Sequence, residues 1–406
     1  MGYSKQAFIG ISWVASLRFT TRLLTLLRIS ILARIFTPSQ FGFYGVASLA
    51  LSLIEIMAET GINIFLVQKK DDAKQYINTA WIISIVRGTI IAVTILLFSP
   101  LIVTFFNMSD YLHLLVIIAM VPFIRGFINP AIIFYQKDLK FKNEFYFRFS
   151  IFLIESLSII LVALVTREIY SIVLGMIVGA LVEVFLSFKL IIPKPVFNYN
   201  LKHIKEVLHR GKWVTVSGIF NYLFHNFDDM IVGKILGISS LGLYQMAYKI
   251  SIFPITEISD VVSKVVFPVY ARIDRDRARL KKAFFKTLAL ISVLSISLGA
   301  LFLIFTREVI LFVLGETWID ILPFLKILIL FGIIRGISGS TSALFFALNK
   351  QEYVSIVTFI SFVVLIVTIF PFALTLGLIG VSMSVLISSV AALPFMIYYT
   401  FKVLYE

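Results

Sequence analysis

Apolar residues gather along this chain in runs long enough to cross a bilayer as helices, about 20 residues or more each. Such runs cover 8–34, 41–67, 77–106, 112–134, 146–166, 169–192, 213–237, 241–268, 284–306, 319–347, 353–373 and 377–401. The pattern predicts twelve membrane-spanning helices, several long enough to tilt. The polar turns between them alternate in charge. One set holds "QKKDDAK", "QKDLKFKNEFYFR", the 189–212 connection, "ARIDRDRARLKK" and "NKQE", with both termini, and carries most of the lysine and arginine. The other holds "FTPSQ", "NMSD", "TREI", "GISS", "TREVILFVLGETW" and "FALTLG", with only Arg34, Arg167, Lys234 and Arg307 among them. Basic loops stay on the cytoplasmic side, so both termini are expected inside. In the long connection, Leu201, Ile204, Val207 and Leu208 recur at helical spacing between Lys and His. That spacing predicts a short amphipathic helix on the inner leaflet, linking two halves.

The halves are related. Shifted by 200 positions, "WVASLRFTTRLLTLLRISILARIFTPSQFGFYGVA" falls on "WVTVSGIFNYLFHNFDDMIVGKILGISSLGLYQMA" without a gap. Trp13/Trp213, Val14/Val214, Leu23/Leu223, Ile31/Ile231, Ile35/Ile235, Ser39/Ser239, Gly42/Gly242, Tyr44/Tyr244 and Ala47/Ala247 coincide. A second echo, shifted by 210, pairs "IRG" at 124–126 with "IRG" at 334–336. Six spans per half is an even number, so the halves are parallel repeats about an axis normal to the membrane. The division expected is an N-terminal lobe over 1–192, a linker over 193–212 and a C-terminal lobe over 213–406. The fold class is all-α and polytopic, two six-helix lobes around a central cavity.

Composition agrees. The chain is 60% hydrophobic and 14% charged, more apolar than a soluble 406-residue interior can hide. It contains no cysteine, which excludes disulfides, thiolate metal sites and cysteine nucleophiles. Four scattered histidines offer no metal-ligand spacing. The +14 net charge acts first as a topology signal rather than as a nucleic-acid footprint.

Charges inside the spans are costly and therefore informative. At 100° per residue, Arg18, Arg22 and Arg28 share a 120° arc of the first span, with Thr21 and Thr25 beside them. Ser48, Ser52, Glu55, Glu59 and Asn63 form one stripe in the second. The seventh carries Asn221, His225, Asn226, Asp228 and Asp229, and the eighth aligns Lys249, Glu257, Asp260 and Lys264. Two readings fit: polar faces toward a water-filled lumen, or internal ion pairs such as Arg18 and Arg22 with Glu55 and Glu59. The repeat favours the first reading, because Arg18, Arg22 and Arg28 become Gly218, Tyr222 and Asp228 in the second half.

The segments "DDMIVGKILGISSLGLYQMAYKI", "VVFPVYARI", "LARIFTPSQFGFYGVASL", "INIFLVQKKD", "FYQKDLKFK" and "LGETWIDILPFLKIL" resemble the polysaccharide flippases of the multidrug/oligosaccharidyl-lipid/polysaccharide exporter superfamily. The likeness is strongest to the lipopolysaccharide and teichuronic-acid exporter branch and spans essentially the whole chain. It implies a cavity walled by spans 1, 2, 7 and 8, and a cargo of polyprenyl-diphosphate-linked oligosaccharide. Arg18, Arg22, Arg28, Arg125, Lys249 and Arg335 are then the candidate cargo contacts. Arg125 and Arg335 fit either a phosphate clamp or helix packing through their "RG" pairs. Glu55, Glu59, Asp228 and Asp260 are candidates for exchanging H+ or Na+. No cofactor or metal is expected. The partners expected are the glycan carrier, membrane lipids and a polysaccharide polymerase, with no nucleic acid. A cation-coupled multidrug antiporter would share the fold, but the arginines argue against a cationic cargo. A membrane enzyme would need a catalytic constellation on a sizeable outer loop, and none is present in the sequence.

Overall fold

The computed structural model describes residues 3–62, 65–66, 73–198, 200, 204 and 218–405. Asn63, Trp213 and most of the amphipathic helix expected within the 193–212 linker lie outside these residues. Everything described is helix or short connection, with no strand among the described residues. Two compact units divide the chain, Met1–Asn226 and Phe227–Glu406.

In the first unit, α1 (Tyr3–Ala33) leads through a tight turn to α2 (Pro38–Met57). The turn is fixed locally. Thr37 caps α2 through Gln40 N, the Gln40 side chain accepts from Thr37 N, and Pro38 supplies the fixed first helical φ. Then come α3 (Ile77–Phe105), the short helices α4 (Leu112–Ile118) and α5 (Met120–Arg125), α6 (Phe134–Lys137), α7 (Phe141–Thr166) and α8 (Tyr170–Leu190). The expected fourth span is broken: Ser109–Arg125 and Pro130–Lys137 meet at 67°. Pro130 cannot continue the helix, and buried Asn129 caps the new start through Ala131 N. The connection after α8 is tied back to α3, where Asn78 Oδ1 accepts from Val196 N and Phe197 packs on Trp81.

In the second unit, helix 218–231, which begins in the first, passes through a π turn at Val232–Leu236 into α9 (Gly237–Arg272). The chain reverses there. At 1.5 Å per residue, Asp228 and Tyr244 would stand about 24 Å apart in one straight helix, yet Tyr244 Oη donates to Asp228 Oδ2 at 2.7 Å. After α10 (Arg277–Ile304), α11 (Thr306–Val313) and α12 (Leu322–Ala347), the 55-residue helical run Gln351–Tyr405 reverses at Gly377, whose φ is 60°. We call its arms α13 and α14. Tyr353 stacks on Tyr399 at 4.3 Å, which only a hairpin allows.

Contacts also fix helix direction. Trp13 meets Phe145 and Arg28 meets Glu155, so α1 and α7 run parallel, as odd-numbered spans must. Tyr248 pairs with Arg335 and Ser263 with Gly339, so α9 and α12 run parallel as even-numbered spans. Eight helices are apolar and long enough to cross a membrane, or nine with the bent pair. Two of the eight are hairpins counted once. Adding α1, long enough but interrupted by arginines, gives twelve passes among the described residues. The chain is a multi-pass membrane protein.

Candidate functional site

Between Arg18 and Leu27 the exposed residues of α1 fall into two groups. Phe19, Leu23 and Leu27 are 73%, 50% and 53% exposed and lie 100° to 180° around the helix from Arg18. Arg18 and Arg22, also exposed, lie at 0° and about 40°, a neighbouring arc that they share with Val14. Thr21 and Thr25 lie on that polar side and return their hydroxyls to Leu17 O and Thr21 O, each at 2.7 Å. At the far end Arg28 turns inward. Its Nη1 lies 3.4 Å from both Glu155 Oε1 and Ser156 Oγ, and its guanidinium covers the Phe152 ring at 5.2 Å.

Among the described residues, two more ion pairs tie one helix of the first unit to another. Arg87 Nη2 lies 2.9 Å from Glu59 Oε2 and donates to Glu55 O at 3.0 Å, tying α3 to the end of α2. Glu59 also accepts from Gly61 N at 3.0 Å, which holds the carboxylate at the helix terminus. Arg125 Nε reaches Glu183 Oε2 on α8 at 3.3 Å. A guanidinium offers five N–H donors, so a single carboxylate oxygen leaves it capacity for a further anion.

The second unit holds a polar cluster at the 218–231/α9 hairpin. Buried Asp228 accepts from Tyr244, and Asp229 Oδ2 accepts from Gln245 Nε2 at 3.1 Å. Tyr244 lies against Tyr248, which hydrogen-bonds with Arg335 of α12, and Phe331 backs that guanidinium at 5.8 Å. A chain of polar groups thus runs from Asp228 to Arg335. Lys249 is half-buried one turn from Gln245, and Asp260 is exposed farther along α9.

Arg125 and Arg335 therefore occupy similar places with different partners. The following glycines are in close contact: a Cβ on Gly126 would meet Ser84 O at 3.0 Å, and one on Gly336 would meet Ser295 Oγ at 3.0 Å. The "RG" pairs pack helices and present guanidinium groups at once. Sequence reasoning passed over Arg87, the partner of Glu59, although any arginine inside a span is a signal in itself. Tyr244 enters the sequence reading only as a match of Tyr44 in the repeat.

A family model described as "Polysaccharide biosynthesis protein" matches residues 31–323. The chain belongs to that family. Among curated relatives it is 24% identical over 363 residues to the lipopolysaccharide biosynthesis protein WzxC of Escherichia coli (strain K12), covering 87% of this chain and 72% of that one. Its fold is similar to that of lipid II flippase MurJ in an inward closed conformation, with a TM-score of 0.77 at 16% identity, over 95% of this chain and 86% of that one. It is also similar to an inward-facing multidrug resistance MATE family transporter of the MOP superfamily, with a TM-score of 0.70 at 17% identity, over 94% of each. Membership of a polysaccharide family and the all-α, multi-pass fold class read from the sequence are thereby shown.

Proposed function

We propose that this protein moves a polyprenyl-diphosphate-linked oligosaccharide across the cytoplasmic membrane by alternating access, for assembly of a cell-surface polysaccharide. The two exposed faces of α1 carry the reading. Hydrocarbon suits Phe19, Leu23 and Leu27, whereas a lipid-facing arginine near mid-membrane costs about 2.5–3.5 kcal/mol even on insertion scales. Arg18 and Arg22 therefore face water, along which an anionic diphosphate head can travel while its lipid tail stays in the bilayer.

Arg28 and Arg125 in the first unit, and Lys249 and Arg335 in the second, are the further cargo contacts in this reading. Guanidinium forks match phosphate oxygens, and the donors left over from their intramolecular bonds are available to the cargo. Glu55, Glu59, Asp228 and Asp260 exchange H+ or Na+ during the return step. An interior-negative potential drives an anionic head outward by about 2.3 kcal/mol per charge per 100 mV. The MATE-like fold alone would also suit drug efflux, but an arginine-lined face repels cationic drugs. Both termini are cytoplasmic in this reading, and a polysaccharide polymerase receives the product on the outer face.

Proteoliposomes loaded with a polyprenyl-diphosphate oligosaccharide test it, with glycan exposure read by an impermeant lectin. Arg18→Gln/Arg22→Gln should lower the rate at least tenfold while leaving thermal stability and monodispersity intact, and Arg34→Gln at the outer end should change it little. An undiminished rate in the double variant would overturn the reading.

A further inference from the structure

The last turns of α14 carry a shallow, open groove that takes no part in the proposed transport. Tyr398, Phe401, Lys402 and Tyr405 line it, spaced i, i+3, i+4 and i+7, so they share one face of α14. It is an open surface site of about 480 Å³. The neighbouring α10 is held against α14. Arg277 Nη1 of α10 donates to Val403 O at 3.1 Å, and Leu280 and Leu404 share the core beneath with Phe284 and Tyr270. Lys281 of α10 lies with its ammonium 3.6 Å over the Tyr405 ring. Tyr398 and Tyr405 are 61% and 64% exposed at the end of a membrane-crossing helix.

We propose that this groove binds the head of an anionic phospholipid. Charge and depth decide the occupant. Tyrosines at a span end sit where acyl chains give way to headgroups, so the rings of Tyr398 and Phe401 meet the first methylenes of a lipid. Lys402 and Lys281 then meet its phosphate. The Tyr405 ring takes one side of the Lys281 ammonium and leaves N–H donors for phosphate oxygens. The basic 272–282 connection belongs to the loop set assigned to the inner leaflet, where anionic lipids concentrate. A zwitterionic lipid brings a choline cation toward the same lysines and is disfavoured. The site does not depend on the identity of the transported glycan.

The test is native mass spectrometry of the full chain in neutral detergent, titrated with phosphatidylglycerol or phosphatidylcholine. One saturable phosphatidylglycerol is expected, preferred at least fivefold over phosphatidylcholine. Lys281→Gln/Lys402→Gln should abolish the preference, and Lys137→Gln/Lys140→Gln, on another basic loop, should preserve it. Should the double variant fail to purify, Lys402→Gln alone should reduce the preference at least twofold. Equal retention of the two lipids by the wild-type protein, or an unchanged preference in the lysine variants, would overturn the proposal. So would displacement of phosphatidylglycerol by millimolar inorganic phosphate, which would mark a site for soluble phosphate.

Discussion

Arg18 and Phe19 are adjacent in the chain and exposed on different sides of α1. The absence of native cysteine makes this contrast directly measurable. Arg18→Cys and Arg22→Cys should react with a membrane-impermeant thiol reagent, and Phe19→Cys and Leu23→Cys should not. Uniform labelling, or none at all, would remove the wet face from α1. Arg28 is different in kind, because its guanidinium is engaged with Glu155 and Ser156. Truncating one partner strands the other charge away from water, at a cost of roughly 3 kcal/mol for a well-buried pair. Arg28→Gln should therefore lower the unfolding temperature in detergent, and adding Glu155→Gln should recover much of the loss. A double-mutant cycle with no coupling would show that the pair does not hold α1 to α7.

Among the elements, the 218–231/α9 hairpin bears most directly on mechanism, because it places Asp228, Asp229, Tyr244, Gln245 and Tyr248 together. Its reversal depends on Gly237, with φ 87° and ψ 169°, a region that side chains other than glycine's avoid. No atom lies within 4 Å of a Cβ built there, so the cost of substitution is conformational alone. Gly237→Ala should destabilise by about 1–3 kcal/mol, read as a lower melting temperature, and should weaken the Asp228–Tyr244 contact. A melting temperature equal to wild type would show that the turn tolerates another conformation. The π turn before Gly237 adds a residue to the helix end, a device that recurs at functional sites.

For the whole molecule, the loop-charge pattern and the driving force give two outcomes. A fluorescent protein fused after Tyr405 should fluoresce in cells, and alkaline phosphatase at the same point should be inactive. The opposite pair of results would invert the topology. In proteoliposomes, an interior-negative potential should accelerate outward movement of the diphosphate head, and Asp228→Asn should blunt the response to an imposed H+ or Na+ gradient. A rate indifferent to both potential and gradients would exclude electrical and ionic coupling.

The twelve passes, their turns and the arginines of α1 are legible in the sequence, because each depends on local properties: an apolar run of bilayer length, a Gly or Pro at a break, a charge that hydrocarbon rejects. The positions of the reversals at Gly237 and Gly377 follow from the same local rules. Pairing does not. Glu59 meets Arg87, Arg28 meets Glu155 and Arg125 meets Glu183 from one helix to another, and no period in a single sequence records which face of one helix meets which face of another. The break in the fourth span is likewise a tertiary matter in part, since Asn129 is buried and donates from Nδ2 to Pro193 O at 3.0 Å. Composition fixed the solvent and the element lengths; packing chose the partners, because a buried charge is stabilised by whichever opposite group the fold brings within reach.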